Sequence, residues 1–426
     1  MTTRNRYSRR EMIRRGSLIT GLAAAAHALP AWMPRLAFAQ PYNDPAGDVL
    51  VVVFLRGGAD ALNTIVPHGD EAYYAARPRL AIPRPDTDGS DPRTLDLDGF
   101  FGMHPALAPL LPAFQDGTLK AIHATGSPHG TRSHFEAMSF VERGTPDEQG
   151  ITTGWIGRHL ATLDNGSASP VRGIGWGTAI PAALGGGPST VAMKSIVDYH
   201  LGGNTALAEQ MMTPLMQLYA MGDETLYETA RSTQAAIDVV QQVGYLDYVP
   251  QNGAEYPETD FALALRQTAA LIRAHVGLEV ACVDLGGWDT HAAQGTAEGI
   301  HARLVAELAQ GLAAFHQDMG PEMRRVSVLV MSEFGRRLEE NANLGTDHGS
   351  GGAMLVMSGS LQQHNGPVVA RWPGLEPDKL DGGEDLAITT DYRDVLGELL
   401  RLRLKNEALD AVFPGYTPGA LGLFSA

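Results

Sequence analysis

The sequence holds one cysteine, Cys282, so no disulfide can form within the chain. Stability must therefore come from a packed core rather than from covalent staples. Cys282 lies inside the apolar run Val280–Val283 and reads as a buried thiol. After residue 39 no stretch reaches about 18 uninterrupted apolar residues, so the mature chain is not expected to span a membrane. Basic residues are also scarce. Residues 1–39 carry seven arginines and one glutamate, which leaves 25 basic against 47 acidic residues beyond them, a formal net charge of −22. Such a surface repels nucleic acid and anionic lipid, and neither is expected as a partner. No G-x-G-x-x-G follows the first apolar run; Gly57-Gly58 with Asp60 does not fit that dinucleotide fingerprint, which disfavours an NAD enzyme. No fixed-period repeat and no low-complexity linker divides the chain.

What is present begins with an address. Ser8-Arg9-Arg10-Glu11 sets an arginine pair before an apolar stretch from Gly16 to Met33, and Ala37-Phe38-Ala39 supplies a small-x-small cleavage site. This is the layout of a twin-arginine signal over residues 1–39. It predicts a periplasmic or otherwise exported protein, folded before export, with residues 40–426 as one domain.

Residues 49–55 form a continuous β-branched apolar run, as expected of a strand buried on both faces of a parallel sheet. Residues 119–124, 278–285, 325–331 and 353–357 read as further strands. Helices are predicted over 105–115, 133–141, 204–245, 259–276, 296–318 and 391–402, and 150–200, rich in Gly and Pro, reads as loop-dominated. The alternation predicts an α/β domain with a mostly parallel central sheet flanked by helices, and a helical insertion over about 201–275.

In open α/β sheets ligands sit beyond the carboxyl ends of the strands. The polar residues of this chain gather after its strands: Arg56, Asp60 and Asn63; His123, His129, Thr131, Arg132, Ser133 and His134; Asp289 and His291; Glu333, Arg336, Asp347 and His348. Asp289, His291 and His348 are three ligands of carboxylate and imidazole type, the donor set of one zinc-like divalent ion with an open fourth position. A hydrogen-bonded loop network is the competing assignment. Ser133 and Thr131 stand where a helix begins, placed as nucleophilic hydroxyls or, for Ser133, as a plain N-cap. Arg56 and Arg132 are candidate clamps for an anion.

The segments Leu55-Arg56-Gly57-Gly58-Ala59-Asp60-Ala61-Leu62-Asn63-Thr64, Thr131-Arg132-Ser133-His134-Phe135, Gly287-Trp288-Asp289-Thr290-His291, Ser332-Glu333-Phe334-Gly335-Arg336 and Gly345-Thr346-Asp347-His348-Gly349 resemble the bacterial exported family called domain of unknown function 1501. The resemblance covers roughly residues 48–405. The family is similar in turn to the alkaline phosphatase and sulfatase superfamily, which implies an alkaline-phosphatase-like sheet with a metal site at one end. Asp289, His291 and His348 look like the ligands of one of that superfamily's two metals. Glu333 and Asp60 fall near the second, where Phe334 replaces a histidine and Arg56 an aspartate. The resemblance thus implies a metal-dependent hydrolase acting on an anionic small-molecule ester of the phosphate or sulfate type. The alternative is a non-catalytic relative that binds a ligand or a partner protein of the cell envelope.

Overall fold

The computed structural model describes residues 47–426, apart from positions 90–91, 147, 149, 164–165, 200–204 and 426. The signal predicted over residues 1–39 lies outside the described residues. The fold is organised by β1 (Val49–Arg56), whose side chains alternate between two cores. Val49, Val51, Val53 and Leu55 enter one, and Leu50, Val52 and Phe54 enter the other. Every one of these seven is buried. Burying such a side chain contributes about 1.5–3 kcal/mol, and a strand with both faces covered has no reason to alternate with polar residues.

Eight further strands complete the sheet: β2 (Leu119–Gly126), β3 (Gly173–Trp176), β4 (Thr190–Met193), β5 (Val280–Gly286), β6 (Val326–Ser332), β7 (Gly352–Ser358), β8 (Val368–Val369) and β9 (Thr390–Asp391). Their order is β8-β2-β7-β6-β1-β5-β3-β4, with β9 added beside β2. All neighbours run parallel except β7, which is antiparallel to both β2 and β6. The α/β class with a mostly parallel sheet, read from the strand and helix pattern, is what the chain forms.

The carboxyl ends of β1, β2, β5 and β6 consequently lie at one end of the sheet, and β7 starts there. The α-helices of seven residues or more among the described residues are α1 (His134–Arg143), α2 (Trp155–Thr162), α3 (Thr205–Ala220), α4 (Glu224–Gln242), α5 (Asp260–Arg273), α6 (Ile300–Met319) and α7 (Tyr392–Glu398). Apolar residues of α5 and α6 belong to the first core, and those of α2 and α7 to the second. No described helix is long and apolar enough to cross a membrane.

The stretch 150–200 is mostly loop, as expected, but it also contains α2 and the strands β3 and β4, which extend the main sheet and were not read from the sequence. Each strand is only four residues long, and Gly-Ile-Gly-Trp carries neither an apolar run nor a clear alternation, so its pairing is decided by β5 beside it.

Candidate metal centre

Each element leaving this end of the sheet contributes to one cluster. After β1, Gly57 (φ 126°) and Gly58 (φ 66°) turn the chain sharply. Side chains there would strike the Asp289 backbone nitrogen and the Phe334 ring, so glycine is required by both backbone angle and space. The turn lets Gly57 N–H donate to Glu333 Oε1 at 2.9 Å. After β6, Glu333 is buried, takes a second hydrogen bond from Ser332 Oγ at 3.0 Å, and accepts from His134 Nδ1 at 2.8 Å. His134 is the first residue of α1, which follows β2. The short hairpin Arg336–Glu340 with Thr346–His348 then carries His348 back over the sheet end before β7.

The three imidazoles are oriented in the same way. His134 Nδ1 donates to Glu333; His291 Nδ1 donates to Asp347 Oδ1 at 2.9 Å; His348 Nδ1 donates to the Arg132 carbonyl at 2.8 Å. An acceptor on Nδ1 fixes the proton there and turns Nε2 into a bare lone pair. The three Nε2 atoms converge on the Asp289 carboxylate. His291 Nε2 and His348 Nε2 each lie 3.1 Å from Asp289 Oδ1 and 2.9 Å from one another. His134 Nε2 is buried without a hydrogen-bond partner, 3.4 Å from Asp289 Oδ2. Ligand atoms of His134, Asp289 and His348 all lie within 4.8 Å of one another. Lone pairs facing each other at such distances repel unless a cation stands between them. The donor set of neutral imidazoles with a carboxylate is that of a borderline-soft divalent ion.

Arg336 fixes the carboxylate. Its side chain is fully enclosed, and Nη2 meets Asp289 Oδ1 at 2.7 Å. Burial alone would push Asp289 up; the hydrogen bond from Arg336 and the guanidinium charge outweigh it and hold the carboxyl down to about 2. Burial likewise lowers His348 from its usual value, which favours the neutral ligand form. Three carboxylates, Asp289, Glu333 and Asp347, contact the imidazoles of the cluster, and Arg336 pairs with Asp289, so with neutral imidazoles the cluster is net negative and attracts a cation. Phe334 cannot ligate; its ring packs 4.9 Å from that of His134 and 4.8 Å from that of His348 and closes one side. Asp289, its side chain 47% exposed, leaves the other side open to solvent.

A family model described as a protein of unknown function (DUF1501) matches residues 48–378. The chain belongs to that family. No curated protein matches it. Among solved structures, alkaline phosphatase from the Antarctic bacterium TAB5 is similar at 8% identity, over 74% of this chain and 92% of that one, with a TM-score of 0.25, a likeness too slight to bear on the site.

In this member of the family, the residues singled out from sequence divide into two groups. Asp289, His291 and His348 are together, and Glu333 stands directly behind them, holding His134 rather than facing the convergence point. Asp60 is elsewhere. It is fully buried, paired with Arg77 Nη1 at 2.6 Å and hydrogen-bonded by Gln294. Arg56 is spoken for by Glu142 at 3.1 Å and Asp284 at 2.9 Å. Arg132 reaches Asp385 at 2.9 Å while its carbonyl orients His348. Ser133 occupies the N-cap position but makes no cap hydrogen bond and is exposed; Thr131 Oγ1 donates to Glu136 at 2.5 Å. The residue that sequence reasoning passed over as a candidate ligand is His134. Its signal was its place at the first position of a helix directly after a strand, inside Thr131–Phe135.

Proposed function

We infer that the chain is a metal-dependent hydrolase of phosphate- or sulfate-type esters, working with a single zinc-like ion. His134, Asp289 and His348 would hold the ion, with His291 beside Asp289 and His348. The observation that carries this reading is the common orientation of three imidazoles: every Nδ1 is engaged outward, and every Nε2 is left bare toward Asp289. A bound ion there supplies Lewis acidity and an acidified water at neutral pH. The chain's own residues set the conditions. Arg336 keeps Asp289 ionised; Glu333, Asp347 and the Arg132 carbonyl hold the imidazoles in one tautomer; Phe334 excludes water from one flank. Thr131 and Ser133, on the loop that leads to His134, are the candidate hydroxyls for covalent transfer. The wider reading belongs to the same proposal: an alkaline-phosphatase-like domain over residues 40–426, a helical insertion about 201–275, and export by the twin-arginine route behind residues 1–39.

A second reading has its own observation. Arg56 and Arg132, the expected anion clamps, are both neutralised by carboxylates, as suits a cleft that binds a ligand or an envelope partner without turnover. Elemental analysis of the exported, folded protein, with His348→Ala and His134→Ala beside it, tests the first. The expected result is about one equivalent of a transition metal, lost in both variants, together with hydrolysis of p-nitrophenyl phosphate or sulfate. Metal without hydrolysis would favour the second reading. A metal-free protein would sink the centre itself.

A further inference from the structure

One strand away from the metal cluster the sheet opens into a second crevice. Strand β3 pairs with β5 only as far as Gly175↔Cys282, whereas β5 continues to Gly286. Past that point the chains separate, and a cleft of about 340 Å³ lies between the ends of β3, β4 and β5 and the first turn of α5. This is the position at which open α/β sheets take ligands.

The walls differ in character. Trp176, Leu263 and Val283 form an apolar side. The indole N–H of Trp176 already donates to Thr268 Oγ1 at 2.8 Å, which fixes the ring and leaves its faces as apolar surface. Leu263 is an exposed hydrophobic residue at this rim. The lining also carries charge: Lys194 just after β4, Asp260 at the start of α5, and Asp284 on β5. Asp284 shares its charge with Arg56, yet its side chain stays 46% exposed. Lys194 and Asp260 are both exposed and have neither an ion pair nor a side-chain hydrogen bond among the described residues. The Lys194 segment is nevertheless held in place, because Ile196 N–H donates to the buried Gln267 Oε1 at 2.6 Å on α5.

We propose that this crevice binds a small zwitterion with an apolar side group, of the kind an α-amino acid presents. Lys194 takes the carboxylate, Asp260 and Asp284 take the ammonium, and the side group lies against Trp176 and Leu263. Unpartnered charges of both signs in one cleft match a ligand carrying both, and an indole face suits an apolar group and a neighbouring ammonium. This site stands independently of the metal centre.

Isothermal titration of the full exported chain with L-phenylalanine tests it, with phenethylamine and 3-phenylpropanoate as probes lacking one charge each. Saturable binding of L-phenylalanine is expected, weakened about tenfold by Lys194→Ala and by Asp260→Asn, a loss typical of one solvent-accessible charge contact. Lys194→Ala should weaken 3-phenylpropanoate and spare phenethylamine, and Asp260→Asn should do the reverse. Both positions are exposed, so both variants should fold, and binding should persist in His348→Ala. Absence of saturable binding, or binding that neither substitution shifts, would overturn the proposal.

Discussion

Arg336 ties the whole sheet end together, and its removal gives the sharpest test of how the centre is built. The guanidinium donates to four carbonyls, those of Gly57, Gly58, Trp288 and Thr346, as well as to Asp289. Those acceptors come from the turn after β1, the loop after β5 and the hairpin before β7. In Arg336→Met the carbonyls lose their donor inside a dry environment, at about 1 kcal/mol each at the low end. The ion pair adds at most about 1 kcal/mol, because Asp289 is half-exposed. The expected loss is about 4–5 kcal/mol, a large share of the stability of an ordinary domain. Arg336→Lys has three donors on one atom and should recover only part of it. Urea unfolding in the presence of chelator measures this without a metal contribution. A second readout is the acid limb. With its folded value at about 2 against 3.8 unperturbed, Asp289 contributes stability that is present above 3.8 and lost as pH falls toward 2. That step should shrink in Arg336→Met, because the guanidinium makes the largest contribution to holding the carboxyl down. A variant within about 1 kcal/mol of the native protein, with its acid limb unchanged, would refute the role assigned to Arg336.

Glu333→Gln retains an acceptor for Gly57 N–H but weakens the grip on His134; metal affinity should fall about 10–100-fold, measured by competition with a chromophoric chelator. Three histidines remote from the cluster are held neutral chiefly by burial: His123 at about 4, and His159 and His301 at about 3. The unfolded chain takes up these protons below about 6.5 and the folded chain does not, so stability should fall from pH 6.5 downward, by about 1.4 kcal/mol per unit per histidine. His159→Gln should make this limb shallower in pH-dependent urea unfolding. A Cβ on Gly335 would lie 1.8 Å from the Gly351 carbonyl oxygen, so Gly335→Ala must push β7's leading loop away from Phe334 and Arg336. It should cost about 1–3 kcal/mol and reduce metal content, read by thermal melting and elemental analysis.

Much of this architecture could be read from the chain because its signals are local. A strand such as Val49–Arg56, apolar on both faces, can only be satisfied inside a covered sheet, and four such strands ending in polar loops already imply one functional end. Asp289 and His291 are two residues apart, so a turn after β5 keeps them together whatever the rest of the fold does. The short strands Gly173–Trp176 and Thr190–Met193 carried too little pattern, since the first joins the sheet through β5, about a hundred residues away in sequence, and the second only adds beside the first.

The sequence by itself determined the α/β class, the parallel strands and the loops from which ligands come. Tertiary structure alone decided which polar residues meet. Asp60 and Glu333 are both carboxylates on loops at the same sheet end, yet a buried Arg77 draws the first into a separate network, while the second turns to orient His134. His134 joins Asp289 and His348 only because α1 packs its first turn over the ends of β5 and β6. A side chain's residue type sets what it can bind, but a lone pair becomes a ligand only when its other partners, brought from distant parts of the chain, leave it nothing else to face.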